Sequence, residues 1–200
     1  TAPVLGPSGE LYVFWSERDG GQGTRALHAQ KIDSEGGRLW GDGGIALTPF
    51  DTDIEDFMRS APVPCGPGAV VTYKQTSTGS TADTVRAIRV DADGVQTWNG
   101  GVPVDVSTVP SAKGRFPIAS LSDGSIALVW SDNRADSGDI YAQKINPDGT
   151  LGGPTLCPAD FNRSGAVSVQ DIFDFLSAYF NNEPCADFNR SGTISVQDIF

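Results

Sequence analysis

The chain has 200 residues, enough for one large domain or two modest ones, and its 38% hydrophobic content allows a globular core. Its formal net charge of −11 argues against nucleic acid and anionic membrane surfaces as partners, because clustered Lys and Arg residues bind phosphates. No apolar run of roughly 18 residues is present to span a membrane, and the 24 glycines and 13 prolines favour turns and short strands over long helices.

Residues 1–154 carry a loose repeat with a period of about 57 residues, in copies at about 2–58, 61–113 and 116–154. Each copy passes through a short strand after a proline, an apolar strand that ends at Trp15, Tyr73 or Trp130, an alternating strand, and an Asp/Asn-x-x-Gly turn. A weaker fourth strand closes the unit. Four antiparallel strands per repeat is the plan of a β-propeller blade. A generic β-sandwich is the alternative.

Residues 130–134 and 139–144 carry most of a resemblance to the sialidase-like or quinoprotein-like propeller repeats of secreted bacterial proteins. The resemblance covers residues 2–154, although the Asp-box spacing of sialidases is not cleanly present. It implies a mainly β fold of antiparallel four-stranded blades. Three blades do not close a ring, since propellers have about four to eight. Either further blades lie upstream, or the sheets stack as an open array.

A second, tight repeat follows, in which residues 160–173 recur as residues 187–200. Only Ala166/Thr193 and Val167/Ile194 differ, and the spacing is 187 − 160 = 27 residues. We call residues 160–171 loop 1 and residues 187–198 loop 2. Both loops place oxygen-bearing residues at positions 1, 3, 5, 7, 9 and 12, with glycine at position 6, as an EF-hand calcium loop does. The predicted ligands are Asp160, Asn162, Ser164, Ala166, Ser168 and Asp171 in loop 1, and Asp187, Asn189, Ser191, Thr193, Ser195 and Asp198 in loop 2.

A helix is predicted after loop 1, because Ser168 and Asp171 form a capping-box-like start. One apolar face recurs at three- and four-residue intervals, through Val169, Ile172, Phe173, Leu176 and Phe180. Position 8 is apolar in both loops, where Val167 and Ile194 are expected to pack beneath the ions. Residues 152–158 cannot form the entering helix of a full EF-hand.

Two loop–helix units without an entering helix resemble a dockerin, the module that attaches polysaccharide-degrading enzymes to cohesin scaffolds. The resemblance spans residues 157–200 and implies Ca²⁺ as the ligand and a cohesin-like protein as the partner. Each site has only two carboxylates, so we expect dissociation constants of roughly 10⁻⁴–10⁻³ M. Positions 10 and 11, which help dockerins recognise cohesins, are Val169-Gln170 and Val196-Gln197 in place of small hydroxyl residues. The partner is therefore expected to be divergent or absent.

The chain begins at Thr1 and stops inside the second repeat at Phe200, so we expect a fragment of a longer protein. The second helix would then be missing, and one ion should bind better than the other. Cys157 and Cys185 precede the two loops, and we expect a disulfide between them in a secreted setting, or two unpaired residues. Cys65 lies in a turn and is interpreted as a bystander.

No hydrolytic constellation is recognisable, because His28 is the single histidine and there is no nucleophile elbow or matched carboxylate pair. His28 is interpreted as a blade-surface residue. Asp132, Arg134 and Asp139 are interpreted as turn and strand-end residues, which a sialidase-like protein would use as ligand contacts.

Three functional hypotheses follow. The first is a secreted or cell-surface, non-catalytic protein whose blades bind a carbohydrate or surface ligand and whose calcium module docks. The second is a fragment of a glycoside hydrolase or sialidase-like enzyme of polysaccharide catabolism, tethered by that module. The third is a calcium-dependent surface protein whose module folds on its own chain rather than docking.

Overall fold

The computed structural model of the chain describes residues 3–63, 67–136, 138–152, 161–162, 168–189 and 191–199. Within these ranges the protein is mainly β, with three antiparallel four-stranded sheets and one α-helix, which confirms the predicted fold class at this level. None of the helices in the described ranges has the length and apolar character needed to cross a bilayer.

Sheets 1 and 2 are antiparallel meanders in which each strand pairs with its neighbours in the chain. Sheet 1 contains β1 (Val4–Leu5), β2 (Leu11–Arg18), β3 (Arg25–Ile32) and β4 (Ile45–Ala46). Sheet 2 contains β5 (Ile54–Pro62), β6 (Ala69–Thr76), β7 (Asp83–Val90) and β8 (Val104–Ser107). The central pairs β2–β3 and β6–β7 have the same register, with Leu11 opposite Ile32 and Ala69 opposite Val90.

Sheet 3 departs from this pattern because its first strand is in two pieces. It contains β9 (Lys113–Gly114), β10 (Ile118–Ser120), β11 (Ile126–Asp132) and β12 (Asp139–Ile145). Both β9 and β10 pair with β11, and β12 pairs with its other edge. An isolated β-bridge joins Leu151 to Ile145, at the position where the fourth strand of this repeat would begin. The rest of the predicted fourth strand of this repeat, in residues 153–154, lies outside the described ranges.

The predicted Asp/Asn-x-x-Gly turns follow the third strand of each sheet. Asp33 Oδ1 accepts the N–H groups of Glu35 at 2.9 Å and Gly37 at 2.7 Å, and Asp91 does the same for residues 93 and 95. Each turn glycine has a positive φ, +91° at Gly36, +84° at Gly94 and +87° at Gly149, a region that side-chain-bearing residues rarely adopt. The turn composition therefore fixes where each hairpin reverses.

The three sheets stack face to face, with sheet 2 in the middle. One hydrophobic cluster joins sheets 1 and 2, and a second joins sheets 2 and 3. Along β6 the side chains alternate, since Val71 and Tyr73 pack against sheet 1 and Val70 packs against sheet 3. Both faces of β6 are thus covered, which explains why most of the first residues in its sequence are apolar.

A repeated tryptophan contact links each sheet to the next one. Trp40 and Lys31 of sheet 1 both donate to the carbonyl of Ala92 in the turn of sheet 2, at 3.3 and 3.2 Å. Trp98 of sheet 2 donates to the equivalent carbonyl in sheet 3, that of Pro147, at 2.7 Å, and Arg89 donates to it at 3.1 Å. Trp40 and Trp98 follow the turn aspartate by the same number of residues in the first two repeats, and both make inter-sheet contacts.

A buried ionic cluster also lies between sheets 2 and 3. The side chains of Asp132 and Lys113 are fully buried with 3.7 Å between their charged atoms, and Arg134 pairs with the same carboxylate. Lys113 also donates its backbone N–H to Asp83 Oδ2 on sheet 2 at 2.7 Å. Burial alone would raise the pKa of Asp132, but hydrogen bonds from Arg134, Ser111 and Trp130 outweigh it and hold that pKa below the ordinary value.

The C-terminal segment contains the α-helix α1 (Val169–Phe180) and two single 3₁₀ turns, Pro184–Ala186 and Val196–Asp198. The predicted capping box is present at the start of α1, since Ser168 accepts the N–H of Gln170 and Asp171 accepts the N–H of Ser168. The same box, built by Ser195 and Asp198, opens the second 3₁₀ turn. The duplicated sequence thus starts a helical turn in the same way twice.

Candidate metal centre

The first carboxylate of loop 2 lies inside the loop's own turn. Asp187 Oδ1 accepts the N–H of Ser191 at 2.9 Å, and its Oδ2 accepts the N–H of Gly192 at 2.7 Å. The close approach requires the chain to turn sharply, and Gly192 has φ +84°, which favours glycine at this position. The Asp-x-x-x-x-Gly spacing therefore fixes where the carboxylate points.

Oxygens from three other positions of loop 2 lie close to the Asp187 carboxylate or to one another. Ser191 Oγ lies 3.4 Å from Asp187 Oδ1 and donates to the carbonyl of Thr193 at 2.9 Å. Asn189 Oδ1 accepts the N–H of Ser191 at 2.9 Å. Carboxylate, amide, hydroxyl and carbonyl oxygens of positions 1, 3, 5 and 7 are thus neighbours, which is the donor set that a hard divalent cation prefers.

The last carboxylate has the same surroundings in both loops. Asp171 Oδ1 accepts the N–H of Asn162 at 3.1 Å, and Asp198 Oδ1 accepts the N–H of Asn189 at 3.1 Å. Their Oδ2 atoms accept the N–H groups of Ser168 and Ser195, each at 2.7 Å. In both loops, the position-12 carboxylate therefore accepts hydrogen bonds from the backbone N–H groups of positions 3 and 9.

These hydrogen bonds keep both carboxylates ionised. The N–H of Ser168, followed by that of Asn162, lowers the pKa of Asp171 below its ordinary 3.8. The N–H groups of Ser195 and Asn189 lower the pKa of Asp198 in the same way. A carboxylate has about four lone-pair positions, so these oxygens keep acceptor capacity for a cation.

Phe175 of α1 lies between the two loops, a relationship that the sequence analysis missed. Phe161, at position 2 of loop 1, meets its ring edge-on at 5.3 Å between centroids, and Phe188, at position 2 of loop 2, does so at 6.2 Å. Tyr179 packs on the same ring at 6.1 Å. In the sequence, this cluster is indicated by a phenylalanine that follows the first aspartate of each loop.

The apolar face predicted for the helix is largely exposed instead. Val169, Ile172, Phe173 and Phe180 of α1 are 67, 59, 61 and 76% exposed. The helix turns Phe175 and the buried Ala178 inward, because the loop phenylalanines pack on that side. The exposed stripe is available for contact with another molecule.

Position 10 of each loop is exposed in the same manner. Val196 is 65% exposed, close to the value for Val169, and the adjacent Gln170 and Gln197 are exposed too. The residue pairs that the resemblance assigns to partner recognition therefore lie on the surface in both repeats.

Several predicted site residues fall outside the described ranges. These are Asp160, Ser164 and Ala166 of loop 1, its position-8 residue Val167, and Cys65 and Cys157. The described part of loop 1 brings Asn162, Ser168 and Asp171 together. Loop 2 joins its predicted ligands in two groups, positions 1, 3, 5 and 7 and positions 9 and 12, and the Asn189 N–H connects the two groups. Ile194, the position-8 residue of loop 2, is half-buried. No group of three or more His, Cys, Asp or Glu side chains is arranged for a metal in the described ranges. Loop 2 contains two carboxylates, and its other predicted donors are neutral oxygens.

Three sheet residues, Asp132, Arg134 and Asp139, are those that a sialidase-like protein would use as ligand contacts. Asp132 is buried within its ionic cluster, and Arg134 stacks over the Tyr141 ring at 4.0 Å, so both are engaged in packing. Asp139 is exposed at the start of β12. His28 is half-buried on β3 between Trp15 and Phe50, with 5.7 Å between ring centroids on each side.

Comparison with protein-family models gives no match, and searches of the curated proteins and of the solved structures find no significant match either. What the two loops bind is therefore inferred from their own residues and geometry.

Proposed function

We propose that residues 157–200 form a calcium-binding docking module of the dockerin type, attached to a non-catalytic, propeller-like stack of sheets in an extracellular protein. The observation that carries the proposal is the arrangement of loop 2, where oxygens from Asp187, Asn189, Ser191 and Thr193 are neighbours. Asp171 of loop 1 accepts the same backbone hydrogen bond as Asp198 of loop 2, so we extend the proposal to loop 1.

Calcium suits this loop better than other common ions. All candidate donors are oxygens, which excludes the nitrogen and sulfur sites that zinc prefers. Magnesium demands a near-ideal octahedron and keeps several waters, whereas calcium accepts six to eight oxygens in flexible geometry. Two carboxylates per loop give a low charge, so binding at roughly 10⁻⁴–10⁻³ M is expected, as in other extracellular modules.

Ion binding would stabilise the module through residues that already join the loops to the helix. Asp171 lies in the first turn of α1, and Asp198 holds the same place in the second 3₁₀ turn. When bound, the ion supplies a positive charge that draws positions 1 and 12 together across each loop. Phe161 and Phe188 then fix both loops against Phe175, which orients the exposed stripe of α1.

The exposed stripe is the surface that we assign to docking. Ile172 and Phe173 lie side by side on α1 and are more than half exposed, and apolar surface of this kind marks contact sites. A cohesin-like protein that covers this stripe is the partner implied by the resemblance.

The stacked sheets support the propeller part of the proposal. Besides their face-to-face packing, the first strands are neighbours, since β1 contacts β5 and β5 contacts β10. Blades of a propeller place their first strands side by side around one axis in this way.

A calorimetric calcium titration of the chain tests the metal assignment. Asp187→Asn and Asp198→Asn should each abolish or strongly weaken one binding event, because each removes one of only two carboxylates in loop 2. Glu35→Gln is the matched control, since it removes an exposed charge from a turn of sheet 1. Absence of calcium uptake by the unaltered chain, or equal loss with the control, would refute the assignment.

A second experiment tests docking. Because a familiar cohesin is not the expected partner, immobilised cohesin-like domains should include divergent ones, and any capture of the chain should need calcium, be lost on chelation, and fall for Phe173→Asp. Val95→Asp, which alters an exposed valine in a turn of sheet 2, is the control. Capture that persists with chelator, or that ignores Phe173, would refute docking through this stripe while leaving the metal assignment intact.

A further inference from the structure

Asp174 joins α1 to loop 1 through its carboxylate. Its Oδ2 accepts a side-chain amide N–H of Asn162 at 2.8 Å, and its Oδ1 accepts one from Gln170, also at 2.8 Å. The bond from Gln170 is an ordinary i,i+4 pair on a helix. The bond from Asn162 spans 12 residues and reaches position 3 of the loop. One carboxylate therefore holds two amides, one on the loop and one on the helix.

The contact fixes which way the carboxamide of Asn162 faces. An ionised carboxylate can only accept hydrogen bonds, so it is Nδ2 of Asn162 that lies against Asp174. Because the oxygen occupies the other branch of the planar carboxamide, the direction of Oδ1 is set as well. The backbone N–H of Asn162 donates to Asp171 Oδ1 at 3.1 Å, which places the residue beside the position-12 carboxylate. Asn162 is thus located by Asp171 and oriented by Asp174.

A second contact beside the first holds this part of loop 1 on the helix. Phe161, which precedes Asn162, packs edge-on against Phe175, which follows Asp174, with 5.3 Å between ring centroids. Two consecutive residues of the loop thus contact two consecutive residues of α1. One pair does so through rings and the other through a hydrogen bond to a charged group, which is about twice as strong as a neutral one. Asp174 is half-buried, which reduces competition from water.

We propose that Asp174 is a positioning residue of the ion site in loop 1, which turns the amide oxygen of Asn162 toward the ion and links that ligand to Gln170. This role rests on the calcium binding proposed above, and Asp174 acts through Asn162 rather than as a ligand. Loss of a group that orients a metal ligand costs about tenfold to a hundredfold in metal affinity. Loop 2 orients its position-3 amide by another bond, since Asn189 Oδ1 accepts the N–H of Ser191, so the effect belongs to loop 1.

The bond to Gln170 gives the ion a route to the docking surface. Gln170 is exposed at position 11, next to the exposed Val169, and these are the residues that the resemblance assigns to partner recognition. When an ion draws the oxygen of Asn162, the carboxylate of Asp174 moves with the bonded amide. The amide of Gln170 follows the other oxygen of the same carboxylate. Loading of loop 1 therefore orients a side chain on the surface that the partner would contact.

NMR of the chain in chelator tests the two hydrogen bonds before any ion is added. The side-chain amide protons of Asn162 and Gln170 should exchange with water more slowly than those of the exposed Gln197, and Asp174→Ala should remove this protection from both. Asp93→Ala, at an exposed aspartate in the turn of sheet 2, is the matched control and should change neither. Protection of Asn162 that survives Asp174→Ala would overturn the positioning role, whether or not the chain binds calcium.

A calcium titration followed by NMR separates the position of the carboxylate from its charge. The backbone N–H signals of Asn162 and Asn189 report the two loops individually. Asp174→Glu keeps the charge but moves the carboxylate by one methylene, so it should raise the dissociation constant of loop 1 by about tenfold or more and leave that of loop 2 unchanged. Asp93→Glu should alter neither constant. If Asp174→Glu leaves loop 1 unchanged, only the charge of Asp174 matters and the positioning role is wrong.

A double-mutant cycle shows whether Asp174 acts through Asn162. Asn162→Ser keeps an oxygen at position 3 but is too short to reach Asp174, so it should weaken loop 1 by itself. Asp174→Glu should then have no further effect on the loop 1 dissociation constant, because the residue through which it acts is gone. Additive losses would mean that Asp174 supports the module in some other way, and would overturn the positioning role.

The side-chain amide signal of Gln170 tests the link to the docking surface. It should shift as calcium is added to the unaltered chain, and should stay in place in Asp174→Ala at calcium concentrations that saturate loop 1 of that variant. A shift that persists in Asp174→Ala would overturn the link. If the unaltered chain takes up no calcium, the metal assignment fails and the role of Asp174 fails with it. If calcium binds but loop 1 ignores Asp174→Glu, the metal assignment stands and only the role of Asp174 fails.

Discussion

Asp171 and Asp198, separated by 27 residues, accept the same pair of backbone hydrogen bonds at the same distances, 3.1 Å from position 3 and 2.7 Å from position 9 of their loops. Both are buried, although each is flanked by exposed residues. A repeated sequence has thus produced a repeated local geometry, and in each loop the ionised form of the aspartate holds it together.

Acid should therefore loosen the C-terminal segment. The pKa values of Asp171 and Asp198 are lowered in the folded chain, so their contribution is fully present above the ordinary value of 3.8 and is lost as the pH falls through the lower folded values. We expect the helical circular dichroism of the chain without calcium to be constant at neutral pH and to decline below about pH 4. Asp171→Asn should remove most of this decline, and an unchanged profile in that variant would contradict the prediction.

The two phenylalanines Phe175 and Phe173 should differ in their effects, although they lie two residues apart on α1. Phe175→Ala removes the ring on which Phe161 and Phe188 pack, and should cost about 1–3 kcal/mol of module stability. Calcium affinity should fall with it. Phe173→Ala alters a side chain that is 61% exposed, and should leave folding and calcium binding unchanged. Helical circular dichroism and calorimetry on both variants check this, and equal losses would contradict the prediction.

Local features of this fold could be predicted because they depend on neighbouring residues. The alternation of β11, the turn at Asp91 and the start of α1 at Ser168 all follow from hydrogen bonds and side-chain periods within a few positions. The candidate ligands Asn189 and Asp198 were predicted from spacing alone and remain a prediction, although the Asn189 N–H does donate to the Asp198 carboxylate.

Features that depend on distant contacts could not be predicted. The alternation of β6 shows that Val70 and Val71 point to opposite sides, but only the stacking shows that both sides are covered. The helix stripe through Ile172 satisfied the helical period, yet Phe161 and Phe188 select the opposite face of α1. Periodicity identifies apolar faces and leaves open which of them another element will cover.

The turn glycines offer a test of the inter-sheet tryptophan contact. Gly149→Ala and Gly36→Ala impose the same left-handed strain, since φ is +87° and +91°. Only at Gly149 would the new Cβ meet an indole, that of Trp98 at 2.7 Å. Gly149→Ala should therefore cost about 1–3 kcal/mol more than Gly36→Ala, as overpacking does. Urea unfolding at one low protein concentration measures both, and similar losses would show that Trp98 does not constrain this turn.

The buried cluster between sheets 2 and 3 should be far more sensitive than a surface ion pair of the same type. Asp132→Asn leaves Lys113 and Arg134 without their shared carboxylate, and breaking a buried pair costs about 3–5 kcal/mol. Asp105→Asn removes the partner of Arg86 on β7, where both side chains are partly exposed, and should cost at most about 1 kcal/mol.

Thermal and urea unfolding of these two variants compare the sites directly. Because the pKa of Asp132 is lowered, its contribution is present above the ordinary 3.8 and lost as the pH falls below it. The difference in stability between the unaltered chain and Asp132→Asn should therefore be constant at neutral pH and shrink in acid. A difference that stays constant into strong acid would mean that Asp132 acts by shape and hydrogen bonding rather than by charge.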